Sequence, residues 1–238
     1  MKQTIVFGSR TIDFHLEYSD RKSLGITVTP DMEVIVKAPY NTGIDKIKEK
    51  IRKKAPWVIK QQSYFLSFHP KTPQRKYISG ETHLYLGRQY RLLINNDELG
   101  IDNERVKLEG GFLKVYTLEK QKAESLVKNW YRKKAEQKLK EIASPLIDSF
   151  LIRHKLSIPT IQLSIREMPT RWGSCTAKGK IILNPELIKA PKGSIEYVIV
   201  HELCYLVYHD HTQKFLDLQT REMKDWKKWK SKLEKILA

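Results

Sequence analysis

Cysteine is almost missing from this chain. Cys175 and Cys204 are two of 238 residues, and their spacing is not C-x-x-C, which excludes a disulfide-stapled fold and a thiol redox pair. No run of about 18 apolar residues occurs, so a membrane-spanning helix is excluded on length. An apolar leader is also lacking, because Met1 to Phe14 is interrupted by Gly8, Ser9, Arg10 and Asp13. These absences together read as a reduced, cytoplasmic protein. Low-complexity tracts and internal repeats are not evident. Acidic residues are scarce beside basic ones, 27 Asp+Glu against 44 Lys+Arg for a net charge of +17. Such a field concentrates anionic partners and favours non-specific nucleic-acid contact, without defining a function.

What is present suffices for real cores: 40% hydrophobic residues and five tryptophans, in a chain long enough for one large or two modest domains. The first third alternates with period two. Ile12, Phe14, Leu16 and Tyr18 interleave with Asp13, His15 and Glu17, and Leu24, Ile26 and Val28 repeat the pattern, which predicts a hairpin of half-buried strands. A third strand, Met32 to Ala38, follows Pro30-Asp31 and stops at Pro39. From Thr42 the period becomes helical, with Ile44, Ile47, Ile51 and Ala55 on one face and Pro56 breaking or restarting the helix. The prolines of His69 to Pro73 predict a loop. Two further hairpins are expected, around Gly87-Arg88 and around Gly110-Gly111.

A long Lys-rich helix is expected from Glu119 to Ser144, broken at Pro145 before Ile147 to His154. The domain boundary is placed near residue 118, giving an N-terminal β-rich module (1–118) and a helical domain (119–238). Within the latter, Ile161 to Ile165 and Ile181 to Leu183 read as strands of a small β-hairpin, flanking an irregular loop from Pro169 to Gly179. Pro191 to Ser194 supplies a turn and N-cap, and a last helix runs from about Thr212.

The chemistry concentrates in VIVHELCYLVYHDHTQKF, Val198 to Phe215. On a helix, positions i and i+4 lie one turn apart on one face, so H-E-x-x-H presents two imidazoles to one metal while its Glu reaches a metal-bound water. Here His201 and Glu202 are present but Tyr205 stands at the fifth position. Cys204 reads as a small buried hydrophobe.

The runs RWGSCTAKGKIILN (Arg171 to Asn184), APKGSIEYVIVHELCYL (Ala190 to Leu206) and HDHTQKF closely resemble the YgjP-like metallopeptidases, relatives of the SprT-like zinc proteases. RKSLGITVTPDMEVIVKAP (Arg21 to Pro39), GETHLYLGRQYRL (Gly80 to Leu92) and the Trp130-Tyr131 helix match too, so the resemblance covers almost the whole chain. It implies zinc as cofactor, peptide or protein as substrate, His201 and His211 as ligands with Tyr205 in the second ligand's place, and Glu202 as general base. His211 can close such a site only if the helix bends near Tyr208 to Asp210, as the resemblance implies, and His209 is an alternative donor nearby. Tyr205 leaves three readings open: a site completed by phenolate or water, a natural pseudoenzyme, or a substitution of an active parent. Arg171, Trp172, Ser174 and Asn184 are candidates for the substrate cleft.

The expected protein is therefore α+β, a β-rich module followed by a mainly helical gluzincin-like metallopeptidase domain. The expected activity is zinc-dependent peptide hydrolysis, weakened or lost through Tyr205. Two alternatives stand beside it: metal-dependent hydrolysis of a nucleotide phosphoanhydride, and a non-catalytic module that binds nucleic acid or protein through its basic face.

Overall fold

The computed structural model describes residues 2–8, 10–29, 31–66, 75–95, 104–158, 161–168, 171–176 and 179–237; the loop expected at His69 to Pro73 lies outside them. By contact the chain divides into two units, Met1–Pro73 and Gln74–Leu237.

In the first unit, β1 (Lys2–Phe7), β2 (Arg10–Ser19), β3 (Gly25–Val28) and β4 (Val34–Pro39) form one sheet in the order β1-β2-β4-β3. The alternation in β2 is what the sequence predicts: Ile12, Phe14 and Leu16 are buried and the residues between them face out. Its pairing is not. β2 makes its hairpin with β1, and β4 lies between β2 and β3, parallel to the first and antiparallel to the second. Helix α1 (Ile44–Leu66) covers the sheet with Ile47, Ile51, Ala55 and Val58, and it runs unbroken through Pro56. Pro56 is exposed, so the helix forfeits a backbone bond there while its buried face holds the segment down.

The second unit starts by repeating that plan. β5 (Thr82–Tyr85), β6 (Arg88–Asn95), β7 (Arg105–Glu109) and β8 (Phe112–Tyr116) pair in the order β5-β6-β8-β7, with β6 parallel to β8, and α2 (Ala123–His154) follows. Both expected hairpins form here. Gly110 and Gly111 turn the second at φ 58° and 82°, a left-handed pair that glycine adopts without strain. The two modules even share a local sequence, Arg52-Lys53-Lys54-Ala55 in α1 and Arg132-Lys133-Lys134-Ala135 in α2, with Ala55 and Ala135 both fully buried. A structural repeat is thus present that hydrophobic patterning did not disclose, because the two copies share their pairing scheme and little sequence.

Residue 118 falls inside the second unit. Leu92, Leu113 and Val115 belong to the same core as Val127, Trp130 and Ala135 of α2, so the second four-stranded sheet goes with the helices. Pro145 does not break α2. A three-stranded sheet follows, β9 (Gln162–Ile165), β10 (Gly173–Cys175) and β11 (Lys180–Leu183), in the order β10-β11-β9. The hairpin in it is β10–β11, and β9 is parallel to β11. β10 comes from the stretch expected to be an irregular loop.

Helix α3 (Lys192–Cys204) lies against α2, α4 (Gln213–Glu222) and α5 (Trp226–Leu237), and Ile195, Ile199, Leu203 and Cys204 on it are fully buried. Ser194 does not cap it. Pro191 occupies the N-cap position, and the Ser194 hydroxyl donates to the Trp229 carbonyl at 3.0 Å. The single last helix expected from the sequence is two, interrupted where Met223 is extended. The described residues form five α-helices and three small sheets, so the fold is α+β, and no helix among them is long and apolar enough to cross a membrane.

Candidate active site

Helix α3 ends at Cys204, earlier than the sequence suggests, so Tyr205 is its C-cap and the chain turns at once. This early stop lets His211, in the connection to α4, fold back over the last helical turn. His201 Nε2 and His211 Nε2 stand 3.2 Å apart, and Tyr205 Oη lies 2.8 Å from His211 Nε2. Phe215 of α4 backs all three, its ring centroid 4.8 to 5.2 Å from theirs.

Gln219, one turn beyond Phe215, is 1% exposed. With its carboxamide oxygen turned to His201, it accepts the Nδ1 proton at 2.9 Å, which leaves His201 Nε2 as a lone pair. Burial lowers the pKa of this imidazole, so it is neutral near pH 7. The close approach of the two Nε2 atoms then needs one proton between them, which His211 can supply.

Glu202 is 5% exposed. Its burial raises the carboxyl pKa to about 7, against the opposing pull of the Arg171 guanidinium and of the Cys175 backbone N–H, which donates to it. Gly173 on β10 makes this possible, since a Cβ there would come within 2.7 Å of Glu202 Cγ and Oε1. A cleft of about 610 Å³ opens over these groups, lined also by Arg171, Trp172, Ser174 and Tyr197.

Of the residues singled out in the sequence, His201, Glu202, Tyr205, His211, Arg171, Trp172 and Ser174 therefore converge on one cleft. Asn184 does not line it. Its amide donates to the carbonyls of Met168 at 2.9 Å and Arg171 at 3.1 Å while its oxygen accepts from Glu186 N–H, so it anchors the segment that carries Arg171. His209 borders the cleft, but its Nδ1 donates to the Tyr205 carbonyl at 3.0 Å. Cys204 is fully buried, and burial pushes its thiol up to about 12, as befits a packing residue. Gln219, Phe215 and Gly173 also shape the site, although no motif marks them. The available signal was Gln219 on the buried face of an amphipathic helix, in line with Phe215.

Among the described residues no group of three His, Cys, Asp or Glu side chains could hold a metal ion. The two imidazoles nonetheless fit one, because donors 2.0–2.1 Å from a tetrahedral zinc stand about 3.3 Å from each other, close to the 3.2 Å between these nitrogens. Tyr205 fits only as phenolate. Burial, and after it the Glu202 carboxylate, raise its pKa, so near neutral pH it is a phenol that hydrogen-bonds His211.

A family model described as YgjP-like, metallopeptidase domain, matches residues 22–236. Among solved structures, the crystal structure of the metallopeptidase zymogen of Methanocaldococcus jannaschii jannalysin is similar at 21% identity, covering 42% of this chain and 97% of that one with a TM-score of 0.35. No curated protein matches the chain in sequence.

Proposed function

The chain belongs to the YgjP-like metallopeptidase family, and from that premise we propose that it is a zinc-type peptide hydrolase whose metal affinity and turnover are reduced, or lost, through Tyr205. The observation that carries this reading is the pair of Nε2 atoms 3.2 Å apart beside a buried carboxyl with a pKa of about 7.

His201 and His211 would hold the ion, with Tyr205 or water completing the set, and Gln219 would keep His201 in the tautomer that offers Nε2. When bound, zinc supplies Lewis-acid polarisation of a carbonyl and acidifies water. Glu202 is the base in this scheme. A carboxyl that titrates near neutral pH can take a proton from the attacking water and return it to the departing amine. Arg171 holds Glu202 partly ionised and is available to an anionic group of the substrate. β10 lies at the edge of its sheet, and the backbone groups on its outer side other than the Cys175 N–H, which Glu202 takes, suit an extended peptide added as a further strand.

The test is zinc stoichiometry on protein prepared without chelators, together with cleavage of a peptide library by the unmodified chain and by Glu202→Gln. Zinc at one equivalent and cleavage lost in Glu202→Gln support the reading. Absence of zinc from both the unmodified chain and Tyr205→His would overturn it.

A further inference from the structure

A second cavity, of about 670 Å³, opens in the same unit and uses none of the residues that line the cleft above. Its size is in the range of small-molecule sites. The inner wall is aromatic and uncharged. His83, 3% exposed, stacks on Tyr131 with centroids 6.3 Å apart and planes at 23°, and Tyr77 closes the wall 5.7 Å from His83.

These rings are fixed in place. The Tyr131 hydroxyl donates to the Leu84 carbonyl at 2.6 Å, and His83 Nε2 lies 3.1 Å from the Glu81 carboxylate, which also accepts the Lys76 and Tyr77 backbone N–H groups. Burial lowers the His83 pKa, so the ring behind Tyr77 is neutral near pH 7.

The rim is cationic. Arg75, Lys128, Arg132 and Lys189 border the cavity against two carboxylates, Glu167 and Glu186, and Glu186 is already paired with Lys189. Lys128 and Lys189 place their ammonium groups over the Tyr77 and Tyr131 rings, at 5.9 and 5.3 Å, and Lys128 is also paired with Glu124 at 2.6 Å on the exposed side of α2. Among the described residues Arg132 makes no hydrogen bond or ion pair, so its guanidinium fork is free to take an oxyanion bidentately.

We propose that this cavity is a binding site for a small organic oxyanion, a carboxylate or phosphate ester on an aromatic body, with the ring seated against Tyr77, which His83 backs, and the oxyanion on Arg132 and Lys128. The site is separate from the hydrolytic cleft and does not depend on a metal. Both halves of the ligand are required by the geometry: the ring alone gains no charge pairing, and a bare anion gains no stacking.

The test is calorimetric titration of the full chain at about 0.15 M salt, where long-range surface electrostatics are screened, with four probes: phenyl phosphate, benzoate, inorganic phosphate and phenol. Phenyl phosphate or benzoate, or both, should bind at least about tenfold more tightly than inorganic phosphate or phenol, and the comparison of the first two tells which oxyanion the site takes. Lys128→Ala/Arg132→Ala should weaken the tighter probe at least about tenfold, whereas Lys120→Ala/Lys133→Ala, with the same loss of charge on exposed residues outside the cavity, should leave it within a factor of about two. All four side chains altered are exposed, so folding is not at stake. Equal weakening by the two double variants, inorganic phosphate binding as tightly as both aromatic probes, or no binding of either aromatic probe at millimolar concentration would each overturn the proposal.

Discussion

Replacing Tyr205 with histidine should tighten zinc binding by at least about tenfold, or about 1.4 kcal/mol, and the structure sets the range. A phenol binds metal only as phenolate, and at its unperturbed pKa of about 10 ionisation at pH 7 costs about 4 kcal/mol. Burial and the nearby Glu202 carboxylate raise that pKa further, so the cost at this position is no smaller. A neutral imidazole carries no such cost at pH 7. The field of the ion returns part of the phenolate cost, which places the gain between about tenfold and about a thousandfold. Geometry acts in the same direction. Tyr205 Oη is 2.8 Å from His211 Nε2, closer than the roughly 3.3 Å between two donors on one tetrahedral zinc, so the phenol has to move before it can bind. Competition against a chromophoric chelator measures the affinities, and a peptide-library assay follows turnover, which should rise in Tyr205→His and vanish in Tyr205→His/Glu202→Gln. If the unmodified chain already binds zinc as tightly as Tyr205→His and cleaves as fast, the phenol is a competent ligand or irrelevant, and this reasoning fails.

Three further outcomes are expected. In metal-free protein, the pKa of Glu202 is raised from 4.5 to about 7 by burial, so ionising it opposes folding; this penalty is small below pH 4.5, grows as pH rises towards 7 and is complete above it. Glu202→Gln should therefore be more stable than the unmodified chain by up to about 3 kcal/mol at pH 8 and by much less at pH 5, and a stability difference independent of pH in chemical denaturation would contradict it. Gly173→Ala drives a methyl into Glu202 and should lower stability by about 1–3 kcal/mol, with any hydrolytic activity lost, as melting and peptide assays would show. Gln219→Leu should weaken zinc by about 10–100-fold with its melting temperature nearly kept, because the Gln219 amide nitrogen has no partner in the interior; Gln219→Glu, which keeps the acceptor, should retain the affinity, and equal affinities in all three proteins would remove Gln219 from any role in orienting His201.

The sequence by itself determined the local structure and the chemical inventory. Period-two alternation marked β2 because its side chains leave opposite faces of one strand, and the helical period marked α1 and the start of α3 because each element buries one face. The order of His201, Glu202 and Tyr205 identified the stretch on which the cleft is built, since spacing along a helix translates directly into position; His211 lies beyond the end of α3. Tertiary structure decided what depends on distant neighbours. β4 lies between β2 and β3 because a parallel partner needs a crossover rather than a turn, and no local residue pattern encodes it. Prolines 56 and 145 interrupt neither α1 nor α2, because packing of the buried faces outweighs a missing backbone bond. The approach of His211 to His201 rests on α3 stopping at Cys204 and on Phe215 backing the rings. The shifted pKa of Glu202 arises from β10 closing over it through a residue without a side chain, and the acceptor on His201 comes from Gln219 in another helix. The second cavity, lined by Tyr77 and His83, likewise exists only because β5, α2 and the segment after β11 meet there.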